Sequence, residues 1–141
     1  MELTINAQVY QFIFGMGFLR EMNRRVQVPV DNVKGMQKGI GLRYMIGSVM
    51  DGEVEALVEV LYAANQGQTP RVTKELLDSY IDDPSTDIDQ LFEDTLGFLK
   101  KANATKKTVQ EIEKAVAEEK EKQKNLEKVL NEISQNLEKK Q

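Results

Sequence analysis

The sequence predicts an α+β fold: a mainly α-helical body with a small N-terminal β-hairpin, followed by a long coiled-coil-like helix. Three observations indicate this. Apolar residues alternate over the first fourteen positions, then recur every three or four positions, and finally follow a heptad pattern. A chain of 141 residues suits one compact domain with an appendage. We therefore expect a hairpin-plus-helices body at residues 1–103 and an extended amphipathic helix at residues 104–141.

The stretch "ELTINAQVYQFIF" predicts the hairpin. A two-residue turn at positions 6 and 7 would pair Ile5 with Gln8 and Leu3 with Tyr10. A type I′ turn prefers glycine where Ala7 stands, so a slightly longer loop is the alternative. A lone hairpin is marginal in water, so we expect helices to cover its apolar face. That face carries Leu3, Ile5, Tyr10, Phe12 and Phe14.

Helical spacing begins after this hairpin. The stretch "GFLREMNRR" predicts an amphipathic helix, and the following "VQVPVDNVKGMQKGIG", with Pro29 and three glycines, indicates a flexible loop. Apolar residues then recur at helical intervals over residues 42–49 and 54–62, separated by an Asp-Gly pair at 51–52. We expect these two helices to form the core together with the hairpin.

Three threonines mark the starts of the remaining helices. Thr73 is placed as the N-cap of a short helix that Asp83–Pro84 ends. Thr86, with Asp89 three residues later, resembles a capping box for the next helix. Thr105 is placed to cap the last helix.

The last helix carries a heptad seam from residue 109 to residue 137. Glu119 and Gln123 interrupt this seam, and polar residues at such positions weaken a self-contained coiled coil. A helix of this kind depends on a partner for most of its stability in water. The partner is either a different protein, or the acidic body or a second copy of the chain. The candidate partner-binding residues are Val109, Ile112, Val116, Leu126, Leu130, Ile133 and Leu137.

The charge is unevenly distributed. Residues 1–99 carry 8 Lys and Arg against 15 Asp and Glu, whereas residues 100–141 carry 11 Lys against 8 Glu. The most basic stretch, "KKANATKK", has no interleaved aromatic residue, so we interpret it as a solvated joint between helices. We expect no nucleic-acid partner.

Residues that commonly carry catalysis or bind metals are scarce. The chain has no histidine and no cysteine, which excludes Ser-His-Asp, Cys-His and HExxH sites. The stretch "GMQKGIGLRY" lacks the Gly-Lys-Ser/Thr ending of a phosphate loop, and "DDPSTDIDQLFED" lacks the turn glycine of an EF-hand. The first residues show no export signal, and no apolar run is long enough for a membrane span. We expect no enzymatic activity, no cofactor, no metal site and no membrane association.

Three stretches resemble a known family when taken in order. They are "LTINAQVYQFIFGMGFLREMNR", "GIGLRYMIGSVMDGEVEALVEVLYAAN" and "DIDQLFEDTLGFLKKANATKKTV". Together they are similar to the tail assembly chaperones of long-tailed phages that infect Gram-positive hosts. The resemblance covers residues 1–110 and departs from the family at Ala7, where a turn glycine is expected. Beyond residue 116 the prediction depends on periodicity alone.

The resemblance implies a non-enzymatic assembly factor in the host cytoplasm. Such a factor binds the tape-measure protein, keeps it soluble, helps recruit tail-tube subunits, and leaves before the virion is complete. The resemblance also allows a longer form made by a ribosomal frameshift. The alternative is a coiled-coil structural or regulatory homo-oligomer that has no client.

Overall fold

A computed structural model describes residues 1–140 of the chain. The chain divides into two compact units, Met1–Val109 and Gln110–Gln141. The predicted helical body with an N-terminal hairpin and a long C-terminal helix is confirmed. In order, the elements are β1 (Glu2–Ile5), β2 (Gln8–Gln11), α1 (Met16–Arg25), β3 (Gln27–Pro29), β4 (Gln37–Gly39), α2 (Gly41–Met50), α3 (Val54–Ala64), α4 (Lys74–Asp82), α5 (Ile88–Lys101) and α6 (Lys106–Lys139).

The first hairpin has the predicted register. Strands β1 and β2 are antiparallel, with Ile5 opposite Gln8 and Leu3 opposite Tyr10. Asn6 and Ala7 have φ angles of 52° and 64°, which are the left-handed conformations that a type I′ turn requires. The two-residue turn therefore forms without glycine. The side chains buried on the predicted face are Leu3, Ile5, Tyr10, Phe12 and Phe14.

The core of the first unit lies where α1, α2 and α3 pack together. Met22, Ile46 and Leu57, one from each helix, are 0% exposed. Helix α2 also contacts α5, and α3 contacts α4. The segment after β2 joins this core through a hydrogen bond of 2.8 Å from the Ile13 amide to the Ala64 carbonyl. The predicted core of helices and hairpin is therefore present.

The segment predicted as a flexible loop contains a second hairpin, and that prediction is wrong. Strands β3 and β4 are antiparallel, with Val28 opposite Lys38. Gly39, the last residue of β4, and Gly41, the first of α2, allow close packing against α1. A Cβ atom on Gly39 would lie 2.6 Å from the Asn23 carbonyl oxygen, and one on Gly41 would overlap the Met22 carbonyl oxygen. Strands of three residues are too short to show alternation, so the sequence gives no signal for them.

The threonines predicted at the starts of α4 and α6 each directly precede the helix, and a capping hydrogen bond is seen for Thr73. The Thr73 hydroxyl accepts a hydrogen bond of 3.1 Å from the Leu76 amide, so Thr73 is the N-cap of α4 as predicted. Thr105 directly precedes α6, and its buried hydroxyl donates to the Leu99 carbonyl at 2.6 Å. Thr105 thus links the start of α6 to the end of α5.

The capping box predicted at Thr86 is wrong, since the N-cap lies one residue later and the side chain of Gln90 donates to Asp94. The N-cap of α5 is Asp87, whose carboxylate accepts a hydrogen bond of 3.0 Å from the Gln90 amide. The Thr86 hydroxyl instead donates to the Tyr80 carbonyl at 2.5 Å, near the end of α4. Asp87 takes the capping position because a carboxylate is a stronger acceptor than a hydroxyl. Thr86 instead connects the segment between α4 and α5 to the last turns of α4.

Candidate partner-binding surface

The candidate surface is an apolar stripe on α6, a helix of 34 residues. Leu126, Leu130, Ile133 and Leu137 are between 50% and 62% exposed, which is unusual for such large apolar side chains. At about 100° per residue, these four side chains lie within an arc of about 60° around the helix. The second unit therefore presents a narrow apolar stripe to solvent.

Val129 belongs to the same surface, although it does not lie at a seam position of the predicted heptads. It is 50% exposed and lies three residues after Leu126 and four before Ile133. Strict heptad spacing omits Val129. Its separation of three and four residues from two seam residues nevertheless places it on the same face of the helix. We call Leu126, Val129, Leu130, Ile133 and Leu137 the tail stripe.

The N-terminal members of the predicted seam have different surroundings. Val109 is 1% exposed and forms part of the first unit, so a partner does not reach it while that unit is folded. Ile112 is half-buried, and Val116 is 43% exposed. The exposed Glu119 and Gln123 separate Val116 from the tail stripe. The structure thus concentrates the exposed apolar seam between residues 126 and 137.

The charges around the tail stripe nearly cancel. Residues 110–140 contain seven lysines and eight glutamates. A partner of the stripe is therefore selected by apolar side chains and helical spacing more than by net charge.

The first unit has a separate open groove of about 470 Å³ beside α2, α3 and α4. Tyr44, which is 61% exposed, and Glu55 lie along it. Glu59, also in the groove, is 2.6 Å from the Arg25 guanidinium and 2.7 Å from the Lys74 ammonium. Burial raises the pKa of Glu59, but its hydrogen bonds with Lys74 and Arg25 outweigh burial and hold that pKa below its ordinary value. This part of the groove is thereby occupied by ion pairs that join α1, α3 and α4.

Among residues 1–140, no group of three or more acidic, histidine or cysteine side chains is placed to hold a metal ion. Of the helices in that range, none has the length and apolar character needed to cross a bilayer.

Residues 2–114 match the model of a family described as "Phage tail assembly chaperone protein, TAC". The chain belongs to this family of phage tail assembly chaperones. The resemblance seen in residues 1–110 is thus confirmed. Neither the curated proteins nor the solved structures contain a match to this chaperone.

The family match and the tail stripe occupy different parts of the chaperone. The match spans the first unit and ends at residue 114, twelve residues before Leu126. Residues 2–114 therefore carry what the chaperone shares with its family. The tail stripe, in contrast, is a feature that the chain's own periodicity and exposure reveal.

Proposed function

We propose that this phage tail assembly chaperone binds the tape-measure protein, its client, through the tail stripe. It keeps the client soluble in the host cytoplasm, helps recruit tail-tube subunits around it during tail morphogenesis, and leaves before the virion is complete. Family membership supports a role in tail assembly. The exposed apolar side chains on three turns of α6 support a helical client.

The observation that carries the proposal is the exposure of the five tail-stripe side chains. Each is 50% to 62% exposed, so covering it with a partner contributes roughly 1 kcal/mol. Five such contributions, about 5 kcal/mol, correspond to a dissociation constant in the range of about 0.1–1 mM before ordering costs are subtracted. A single stripe is therefore a weak and reversible contact, as a factor that must leave its client requires.

The client is expected to be helical for a physical reason. A long helical protein that is not yet enclosed by the tail tube exposes apolar stripes, and such stripes aggregate unless they are covered. The four seam residues of the stripe lie within about 60° and Val129 extends it to about 100°, an arrangement that fits the seam between two packed helices.

The experimental test replaces three tail-stripe residues in the full chain with aspartate: Leu126→Asp, Leu130→Asp and Ile133→Asp. We expect a co-expressed tape-measure protein to precipitate, because charged side chains cannot cover its apolar stripes. The amount of tape-measure protein in the soluble fraction is the readout. The circular dichroism of the variant checks that it stays helical.

The matched control changes the charge by the same amount away from the stripe: Lys124→Gln, Asn131→Asp and Gln135→Asp. These side chains are exposed and point at least about 100° away from Leu126 around the helix. The control adds the same charge and should leave the tape-measure protein soluble. If the tape-measure protein stays soluble with the stripe variant, the assigned role of the stripe is wrong.

The alternative function, a homo-oligomer without a client, is suggested by the heptad spacing. Mass measurement with and without residues 110–141 distinguishes the two functions. Loss of oligomers on truncation, with no change in the solubility of the tape-measure protein, favours the homo-oligomer.

A further inference from the structure

We infer that, before a client binds, the tail stripe is covered by the tail stripe of a second copy in an antiparallel pair of helices. The inference deepens the proposed function, on which it rests in one respect: the side chains that it covers are those assigned to the client. The pairing itself follows from spacing and charge, and its test is independent of any client.

The spacing of the stripe is the same in both directions. Leu126, Leu130, Ile133 and Leu137 are separated by intervals of four, three and four residues. In an antiparallel pair, Leu126 therefore lies opposite Leu137 of the second copy, and Leu130 lies opposite Ile133. All four residues fill successive layers, and each contact occurs twice, as a two-fold interface requires.

The polar interruptions of the seam favour the antiparallel arrangement. In a parallel pair, Glu119 faces Glu119 of the second copy at a seam position, and like charges there repel. In the antiparallel register, Gln123 lies opposite Lys140 of the second copy, and Glu119 lies outside the four apolar layers. Antiparallel helix dipoles also attract each other.

The charge of the first unit favours the same arrangement. Residues 1–109, which form that unit, carry 12 Lys and Arg against 15 Asp and Glu, a net charge of −3. A parallel pair joins two of these acidic segments to the same end of the paired helices, whereas an antiparallel pair joins them to opposite ends. Repulsion between segments of like charge falls with distance, so the antiparallel pair is favoured.

The pairing is limited by the size of the stripe. Residues 126–137 extend about 16 Å along the helix, and each copy contributes five large side chains. The area that five such side chains can bury is far smaller than the roughly 800 Å² per partner in a typical stable interface. The pair therefore exchanges readily, and a client with a longer apolar stripe displaces the second copy.

Disulfide trapping in the full chain tests the pairing cleanly, because the chain has no cysteine of its own. The variants are L126C and L137C, with one of them carrying a mass tag. Antiparallel pairing brings the two substituted positions together only in the mixed sample. Parallel pairing instead brings each position beside itself. In the antiparallel pair, two L126C positions are separated by about 16 Å, which is beyond the reach of a disulfide.

We expect the mixed sample to form disulfide dimers faster than either variant alone. The comparison variant is Q135C, an exposed position on the opposite side of α6, which measures random collisions. A further Leu130→Asp substitution in both chains interrupts two of the four layers and should reduce dimer formation in the mixed sample to the Q135C rate.

Two outcomes overturn the inference. Self-linking of L126C at least as fast as linking in the mixed sample shows a parallel pair, and linking no faster than Q135C in every sample shows that the stripe does not pair. Either outcome leaves the proposed function intact, because that function is judged by the solubility of the tape-measure protein.

Discussion

Asn65 is a fully buried polar side chain that joins three segments of the first unit. Its amide nitrogen donates to the carbonyls of Gln11 at 2.9 Å and Pro70 at 3.3 Å. Its oxygen accepts from the Arg71 guanidinium and the Val72 amide, both at 2.7 Å. The side chain thereby ties the first hairpin to the connection between α3 and α4.

We predict that Asn65→Ala lowers the free energy of unfolding by about 3 kcal/mol, because it leaves buried hydrogen-bonding groups without partners. Urea unfolding measures this change. Gln66→Ala, at the exposed neighbouring position, is the control and should change the free energy by less than about 0.5 kcal/mol. Equal effects of the two substitutions would contradict a specific role for Asn65.

Two glycines of α2 should respond oppositely to the same substitution. A Cβ atom on Gly41 overlaps the Met22 carbonyl oxygen, whereas one on Gly47 meets nothing within 4 Å. We predict that Gly41→Ala lowers the free energy of unfolding by more than about 3 kcal/mol, because backbone must move. Gly47→Ala should raise it by about 0.5–1 kcal/mol, since alanine favours the helix. Urea unfolding of both variants checks the contrast, and a well-tolerated alanine at Gly41 would contradict it.

At the scale of elements, three helices are held by ion pairs around Glu59. Arg25 of α1 and Lys74 of α4 both contact this carboxylate on α3. The pKa of Glu59 is lowered in the folded chain, so its contribution to stability is present above the pKa of the unfolded chain. That contribution is lost as the pH falls through the lower pKa of the folded state.

We predict that Glu59→Gln lowers the free energy of unfolding by about 1 kcal/mol at pH 7, a modest value because the ion pairs are partly exposed. The difference from the unsubstituted chain should shrink as the pH falls below about 4.3, where the carboxylate of the unfolded chain becomes protonated, and it should vanish below the lower pKa of the folded state. Urea unfolding at several pH values measures it. Glu55→Gln, on the exposed start of α3, should show a smaller effect. A difference that persists in acid would contradict this account.

The elements differ in how well their sequences predict them. The first hairpin and its register follow from alternation on both sides of a two-residue turn, and these signals are local. The second hairpin has strands of three residues, one ending in Pro29, so it has no alternation to detect. In the sequence, the glycines at the end of this hairpin indicate only a flexible backbone. The structure shows that they are required because the backbone of α1 lies too close to leave room for a Cβ atom.

The candidate site was also predictable only in part, because the exposure of its residues depends on how the chain packs in three dimensions. Heptad spacing identifies which residues share a face of α6, but it does not show which of them the chain covers by itself. Val109 therefore looks equivalent to Leu137 in sequence, although the first is 1% exposed and the second 62%. Val129 shows the opposite error, because strict heptad spacing omits a residue that widens the stripe.

At the scale of the whole molecule, the boundary between body and tail can be tested by truncation. The sequence suggests a boundary after residue 103, and the compact units divide after Val109. We predict that residues 1–109 unfold at nearly the same urea concentration as the first unit of the full chain. Residues 1–103 should unfold earlier, because they lack the buried Thr105 and Val109. Equal midpoints for the two truncations would contradict the later boundary.

The first turn of α6, at Lys106–Val109, lies within the folded first unit. Starting a helix is the unfavourable step, whereas extending one is nearly neutral for each residue. The body thus supplies a ready-made nucleus from which the charged remainder can propagate. A free peptide of residues 110–141 should accordingly show much weaker circular dichroism at 222 nm per residue than the same segment does in the full chain. The signal of the attached segment is the difference between the full chain and residues 1–109. During translation, residues 106–109 would leave the ribosome before the tail stripe does. The tail would therefore extend a helix whose first turn is already formed.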